Sequence, residues 1–288
     1  MTAVAVSEPV SQTSPVPDVA GLDVAAELLR GRRFVALTGA GISTDSGIPD
    51  YRGEGAPTRN PMTFQQFRSG ADYRKRYWAG SHAGWRHFRG AEPNSGHRAL
   101  ADLELSGALA GVVTQNVDEL HTRAGSRRVV DLHGSMNRVL CLDCGQVFAR
   151  ASIAARIDEA NPWFEEPGAV QIAPDGDANV TNIADFVLPN CSVCGGSLKP
   201  DVVFFGEYIP AEIYQEAKAL VHSSDALLIA GSSLVVNSGI RLLEQARRRR
   251  LPIVIINRGV TKGDSRASVK LNAGTSETLV ALAARLTA

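Results

Sequence analysis

The sequence predicts an α/β protein in which a parallel sheet is covered by helices on both faces, with a smaller second lobe. Three apolar runs carry this prediction, at residues 34–37, 226–230 and 253–256. Each is apolar at every position, which is typical of strands buried on both faces of a parallel sheet. Glycine or polar residues follow each run. The loops after these strands are therefore expected to form a ligand-binding edge.

The first strand leads into a turn that is suited to a phosphate group. Gly39 and Gly41 let the backbone approach a ligand closely, and free N–H groups at the start of the next helix favour negative charge. Ser43 and Thr44 add hydroxyl donors. Residues 46–52, with glycine, proline and a charged pair, are typical of a loop that closes over a ligand.

The dinucleotide-binding fingerprint of a dehydrogenase is the obvious alternative for this turn. That fingerprint has a third glycine where this chain has Thr44, and a second strand soon afterwards. Here the next strong strand pattern, residues 111–114, lies far downstream. Hydride transfer is disfavoured, whereas nucleotide binding is not.

Two further segments carry polar side chains beyond apolar strands, at residues 112–121 and 129–134. A lone histidine in such a place is usually structural. His133, however, is predicted to share a sheet edge with Gln115, Asn116 and Asp118, which makes it a candidate functional residue.

A second strand-to-loop turn follows residues 226–230. Gly231, Ser232 and Ser233 suit a phosphate or ribose group there, although the two serines are also compatible with a simple helix cap. Asn257 directly follows the strand at residues 253–256.

The four cysteines of the chain form two C-x-x-C pairs, each followed by glycine. The pairs are Cys141 with Cys144 and Cys191 with Cys194. Two such knuckles complete a tetrahedral zinc site, and four thiolates leave no open position, so the metal is expected to be structural. A redox dithiol does not need two matched pairs. Disulfides are not expected without a secretion signal.

Composition narrows the class of protein. The 288 residues, 44% of them hydrophobic, suffice for a sizeable core. Lysine plus arginine and aspartate plus glutamate number 30 each, so charge indicates neither nucleic acid nor a membrane as partner. No basic residue occurs in the first twenty, which fits neither a secretory signal nor a transit peptide. We expect a disordered tail over 1–21 and a cytoplasmic protein.

The chain resembles the sirtuin family from about Leu22 to its C-terminus. The shared motifs, in the family's order, are GAGIS at 39–43, GIPDYR at 47–52, TQNVDELH at 114–121, LHG at 132–134, the paired C-x-x-C, KPDVVFFGE at 199–207, GSSL at 231–234 and INRG at 256–259. The resemblance implies an NAD-consuming deacylase of protein lysine, in which nicotinamide leaves the ribose and the acyl group passes to ADP-ribose. His133 would be the general base, with Asn116 and Asp118 as its catalytic partners.

The resemblance also implies the residues that contact NAD and substrate. For NAD they are Gly39, Ala40, Gly41, Ser43, Thr44, Pro49, Asp50, Tyr51, Arg52, Gln115, Asn116, Val117, Asp118, Gly231, Ser232, Ser233, Asn257, Arg258, Gly259 and Thr275. An extended substrate segment would pair with Gly206 and Glu207 on one side and Leu234 and Val235 on the other. Val203, Phe204 and Phe205 would line the acyl-lysine tunnel, although Phe204 is equally suited to plain core packing.

Within the family, the chain most resembles the class II, sirtuin 4-like branch, on GIPDYR, on AGSRR at 124–128 and on the long segment between the cysteine pairs. That branch implies longer or unusual neutral acyl groups, including lipoyl, rather than acetyl or succinyl. A succinyl-specific sirtuin places arginine three residues after tyrosine. Here Gly80 holds that place relative to Tyr77, while Tyr73 and Arg76 have the spacing in another register.

We expect a Rossmann-like NAD-binding domain from 22–52, 93–138 and 198–288. A small lobe would combine the helical insertion 53–92 with the zinc module 139–197. Two alternatives to deacylation remain: protein mono-ADP-ribosyltransfer and a non-catalytic NAD or ADP-ribose sensor, which has no need of a general base. The partners would be acyl-lysine proteins. The sequence leaves the oligomeric state open, with a monomer favoured.

Overall fold

A computed structural model describes residues 18–51, 61–164, 180 and 183–287, with His87 described by its backbone alone. The helices are α1 (Val19–Leu29), α2 (Phe64–Ser69), α3 (Ala71–Gly90), α4 (Ser95–Leu105), α5 (Leu120–Arg123), α6 (Arg150–Ala160), α7 (Ala211–His222), α8 (Asn237–Arg248) and α9 (Thr275–Thr287). The strands are β1 (Phe34–Thr38), β2 (Leu109–Thr114), β3 (Val129–Asp131), β4 (Gly134–Cys141), β5 (Val147–Ala149), β6 (Leu198–Val202), β7 (Ala226–Ala230), β8 (Ile253–Ile256) and β9 (Val269–Leu271).

In the described ranges, six strands form the larger sheet, in the order β3-β2-β1-β7-β8-β9. Every pairing in it is parallel. Alternate side chains of β1 enter different cores, because a strand points successive residues to opposite faces. Phe34 packs with α1, α4 and α9 on one face, and Val35 packs with α7 and α8 on the other. The prediction of a Rossmann-like parallel sheet covered on both faces is confirmed.

A second, antiparallel sheet of the described chain has the order β5-β4-β6. Together with α2, α3 and α6 it encloses a separate aromatic core. Trp78 of α3 is 1% exposed, and its indole N–H donates to the Leu198 carbonyl over 3.0 Å. This contact ties the helical insertion to the small sheet. The predicted smaller lobe is therefore present.

The two sheets meet next to His133. Gly134 of β4 pairs with Val202 of β6, and the Val203 N–H donates to the His133 carbonyl over 2.9 Å. The guanidinium of Arg138 lies beside carboxylates from three neighbouring segments: Asp201 at 2.8 Å, and Asp131 and Glu119 at 3.8 Å each. We call these four residues the Arg138 cluster.

The end of the segment predicted as a tail belongs to the first helix. Asp18 caps α1 through a side-chain bond from the Ala20 N–H, and Leu22 is buried. Residues 19–21 are therefore helical and do not belong to the tail predicted for 1–21, whereas residues 1–17 lie outside the described residues. The remaining domain boundaries stay predictions. No helix in the described ranges has the length and hydropathy to cross a membrane.

Candidate active site and cysteine cluster

The loops after β1 and β7 pack against each other backbone to backbone. The Gly41 N–H donates to the Gly231 carbonyl over 2.9 Å, and the Gly39 N–H donates to Ala230 over 3.2 Å. Gly231 has a φ of 65°, and a Cβ atom there would clash with the Ile42 backbone nitrogen. These glycines are thus required by the contact between loops, independently of any phosphate. The Thr275 hydroxyl closes the arrangement by donating to the Gly41 carbonyl over 3.0 Å.

Three predicted site residues meet in a buried cluster beside these loops. Ser43 donates to the Asp118 carboxylate over 2.7 Å, and the Asn116 amide donates to the Ser43 hydroxyl over 3.0 Å. The other Asp118 oxygen accepts from the Leu120 N–H over 3.0 Å. Burial raises the pKa of Asp118, and these hydrogen bonds oppose the rise. Hydrogen bonds within the protein therefore fix the orientation of both side chains.

A pair of buried histidines lies behind this cluster, and the sequence analysis assigned no role to either. His97 and His121 have ring centroids 4.8 Å apart, and His121 Nε2 is 2.9 Å from the Thr38 hydroxyl. The Asn94 N–H donates to His97 Nδ1, so the His97 proton is on Nε2, 3.5 Å from the Ser43 hydroxyl. Burial lowers the pKa of His97 to about 4. The pattern Asn-x-x-His at a helix start signals the capping box that holds this ring.

His133 lies at the same edge, between β3 and β4. Its Nδ1 is 2.9 Å from the Gln115 carbonyl, and its Nε2 is 2.9 Å from the Ser238 hydroxyl. A carbonyl only accepts, so Nδ1 carries the proton and Nε2 has an unprotonated lone pair, which faces the Ser238 hydroxyl. Burial lowers the pKa of His133, so the neutral, basic form is favoured at neutral pH. Ser238 was not predicted as a site residue.

The other predicted NAD contacts lie around this edge. Ser232 is buried, and its hydroxyl donates to the Gln115 side chain over 2.6 Å. In the loop that was predicted to close over a ligand, Pro49 and Asp50 are half-buried and Tyr51 is exposed, while Arg52 lies outside the described residues. The remaining contacts are placed as follows: Ala40 and Thr44 in short 3-10 turns after β1, Val117 in the small-lobe core, Ser233 half-buried after β7, and Asn257, Arg258 and Gly259 in the loop after β8.

The predicted tunnel residues differ in exposure. Phe204 is buried, with its ring 4.6 Å from Tyr77 and 5.2 Å from Phe67, whereas Phe205 is 47% exposed and Val203 is half-buried. The Glu207 carboxylate turns inward and accepts from Lys199 and from the Phe204 N–H, both over 2.9 Å.

The predicted strand-pairing segments lie on both sides of this region. The Gly206 carbonyl accepts from Gln65. Leu234 is buried with a φ of 56°, a conformation that is costly for a side chain of its size, and Val235 beside it is exposed.

The four cysteines come together in the small lobe. Their Sγ atoms all lie within 4.8 Å of one another. The two knuckles match: the N–H of the glycine after each pair donates to the carbonyl of its first cysteine, over 3.0 and 2.9 Å. Backbone N–H groups of Val193 and Gly196 also point at sulfur atoms over 3.4 Å. Four thiolates in this arrangement fit a structural zinc ion.

Fold and site together define an NAD-binding type of α/β protein with a second, cysteine-clustered lobe. The Sir2 family model matches residues 39–238, and the chain belongs to that family. It is 53% identical over 263 residues to NAD-dependent protein deacetylase 1 of Mycobacterium avium, covering 90% of this chain and 93% of that protein. It is 46% identical over 256 residues to the mitochondrial NAD-dependent protein lipoamidase sirtuin-4 of Bos taurus, covering 86% and 81%.

Solved structures of Sir2 proteins are similar to this chain in fold. A Sir2 structure with a p53 peptide and NAD+ superposes with a TM-score of 0.70 at 30% identity, covering 90% of this chain and 95% of that one.

Proposed function

We propose that this protein is an NAD-dependent protein-lysine deacylase that transfers the acyl group to ADP-ribose and releases nicotinamide. One observation carries the proposal: the unprotonated Nε2 of His133 lies at the same sheet edge as the two packed glycine loops and the Ser43–Asn116–Asp118 cluster. A neutral base, oriented amide and carboxylate groups and a phosphate-type turn are what the transfer requires. The names of the two relatives, a deacetylase and a lipoamidase, support the same class of reaction.

Each side chain has a distinct part in the proposed reaction. As the acyl oxygen replaces nicotinamide at the ribose, Nε2 of His133 takes the proton of a ribose hydroxyl. Asn116 and Asp118 orient the ribose and the nicotinamide, with Ser43 holding both side chains. We also propose that the other residues predicted to contact NAD bind it in this site. The cysteine cluster would hold zinc and stabilise the small lobe.

We further propose a preference for longer, neutral acyl groups. Tyr77 packs on Phe204 inside the small-lobe core, and the residue three positions later is Gly80, which offers no charge to an acidic acyl chain. Tyr73 and Arg76, the other pair with that spacing, are exposed. Lys199 lies 4.8 Å from the Phe204 ring centre, but Glu207 neutralises it. The lipoamidase relative supports this preference.

The substrate segment would enter between the two lobes. Phe205 and Val235 are exposed on the two sides of the proposed entrance. Backbone pairing with Gly206 and Glu207 and with Leu234 and Val235 would hold an extended peptide while the acyl chain enters past Val203.

Mass spectrometry of the products tests the proposal. The protein is incubated with NAD and peptides that carry acetyl, octanoyl, lipoyl or succinyl lysine. We expect free lysine peptide and O-acyl-ADP-ribose, fastest with octanoyl or lipoyl and slowest with succinyl. ADP-ribose attached to protein without deacylated peptide would favour the transferase instead. A succinyl peptide that reacts fastest would overturn the acyl preference alone.

A further inference from the structure

Ser238 is a buried hydroxyl in direct contact with the candidate base. Its oxygen is 2.9 Å from His133 Nε2, and its side chain lies in the first turn of α8. The Gln115 amide also reaches this hydroxyl, over 3.4 Å. The backbone carbonyl of Gln115 accepts from His133 Nδ1. The three residues therefore close a hydrogen-bonded loop, which we call the Gln115–Ser238–His133 ring.

The direction of every bond in the ring follows from the chemistry of its groups. The His133 Nδ1–H donates to the Gln115 carbonyl. The side-chain oxygen of Gln115 accepts from Ser232 over 2.6 Å, so its NH2 group faces Ser238 and donates to it. The Ser238 hydroxyl then has its own proton to donate, and the lone pair of His133 Nε2 accepts it. Of the two neutral tautomers of His133, only the Nδ1–H form satisfies the Gln115 backbone carbonyl, the Ser238 hydroxyl and both ring nitrogens.

Among the residues that the structure describes, ionisable groups on the surrounding elements do not compete for His133. Asp131, Glu119 and Asp201 lie beside Arg138 in the Arg138 cluster, and Asp118 bonds Ser43. On α8, the Arg241 guanidinium lies over the Tyr214 ring. The N-terminus of α8 adds a partial positive charge, which disfavours a protonated imidazole nearby. The ring therefore acts on His133 through neutral hydrogen bonds.

We propose that Ser238 is a positioning residue, which holds His133 in the Nδ1–H tautomer and occupies its basic nitrogen until a ribose hydroxyl takes its place. The effect on turnover rests on the proposed function. The effect on the tautomer does not. A hydroxyl that donates to Nε2 stabilises the neutral imidazole, and this contribution is lost when the hydroxyl is removed.

NMR of protein labelled with ¹⁵N-histidine tests the inference without ligand. Spectra of the full chain are compared with those of Ser238→Ala, Ser238→Thr and Ser224→Ala, and His133→Gln identifies the His133 signals. In the wild-type protein we expect the His133 imidazole to be the Nδ1–H tautomer. In Ser238→Ala we expect the His133 pKa to be higher by about 0.5 to 1 unit, which corresponds to the free energy of one ordinary hydrogen bond. Ser238→Thr keeps the hydroxyl and should titrate as wild type. Ser224 is also buried but donates to the Leu220 carbonyl, so Ser224→Ala should also leave His133 unchanged.

An Nε2–H tautomer in the wild-type protein would overturn the inference even if every variant failed to fold. A Ser238→Ala protein that titrates like wild type would also overturn it. In turnover, Ser238→Ala should lose about tenfold in kcat with KM for NAD within twofold, and the acid limb of its pH profile should move upward. If the NMR results hold but the wild type consumes no NAD, the proposed function fails and the role of Ser238 in fixing the tautomer stands.

Discussion

The ligand edge of the large sheet and the cysteine cluster of the small lobe are held in different ways. At the edge, protein groups satisfy one another: Ser43 bonds Asp118, and the Gln115–Ser238–His133 ring closes on itself. In the cysteine cluster, the sulfur atoms face one another and a few backbone N–H groups at 3.4 Å. Folding of the chain alone therefore preorganises the edge, whereas an ion is needed to complete the lobe.

Removal of the metal should produce the largest difference between the two regions. Replacing a ligand, as in Cys191→Ser, should abolish zinc binding and unfold the small lobe, because structural zinc contributes about 10 kcal/mol or more to folding. Trp78 and Trp85 lie in that core, so tryptophan fluorescence reports its loss, and metal analysis reports the zinc. Val193→Ser, an exposed change in the same knuckle, is the matched control. A Cys191→Ser protein with an intact core would contradict the metal assignment.

Substitution at the ligand edge of the large sheet should lower enzymatic turnover rather than the stability of the fold. His133→Ala is expected to lower turnover by about 100-fold or more, the usual contribution of a general base, while NAD binding changes little. Turnover assays and calorimetric titration with NAD separate the two effects. His222→Ala removes an exposed histidine and serves as the control. Full turnover by His133→Ala would remove this residue from the mechanism.

The contact between the glycine loops can be tested by adding one methyl group. Gly231→Ala should cost about 2–4 kcal/mol, because it adds a backbone clash to the strain of a left-handed conformation. Gly31→Ala is the matched control, with a φ of 71° and open space around it, and should cost only about 1 kcal/mol. Urea unfolding measures both. Equal losses would mean that the contact between loops adds nothing.

The smallest effect is expected where the two lobes meet. Burial raises the pKa of Asp131 to about 6, against the opposing effect of Arg138. Because this pKa is higher in the folded than in the unfolded protein, protonation of Asp131 stabilises the fold. This contribution is complete below the unfolded-state pKa and is lost as pH rises through about 6. Asp131→Asn should thus gain about 2 kcal/mol relative to wild type between pH 4 and pH 7, because a pKa raised from 3.8 to about 6 corresponds to at most about 3 kcal/mol. Thermal unfolding across this range measures the gain, with exposed Asp102→Asn as the charge-matched control. A constant difference at all pH values would contradict the prediction.

Much of the fold could be predicted from the sequence, because strands that are buried on both faces of a parallel sheet have continuous apolar sequences. Residues 34–37, 226–230 and 253–256 all lie in strands of the large sheet. The cysteine cluster was equally predictable, since four thiols in two matched pairs have few other arrangements. The start of α1 was not, because its Asp18 cap lies among the proline-rich residues that resemble a tail.

The site was less predictable in its supporting contacts. Ser238 and His97 are remote in sequence from His133 and Ser43, and only the packing of α8 and α4 brings them into contact. The NAD contact predicted for Gly231 stays a prediction, and the packing of its backbone against the other loop was not visible in the sequence. Sequence patterns thus identify groups that ligands need, whereas groups that position them depend on tertiary structure.

The stoichiometry of a single turnover tests the central claim most directly. Excess enzyme is mixed with NAD and an octanoyl-lysine peptide, and every product is quantified by mass spectrometry. NAD-dependent deacylation predicts one nicotinamide and one O-octanoyl-ADP-ribose for each lysine freed, and formation of O-octanoyl-ADP-ribose at least about 100-fold slower with His133→Ala. Free octanoate released without loss of NAD would instead indicate simple hydrolysis and would contradict the proposed function.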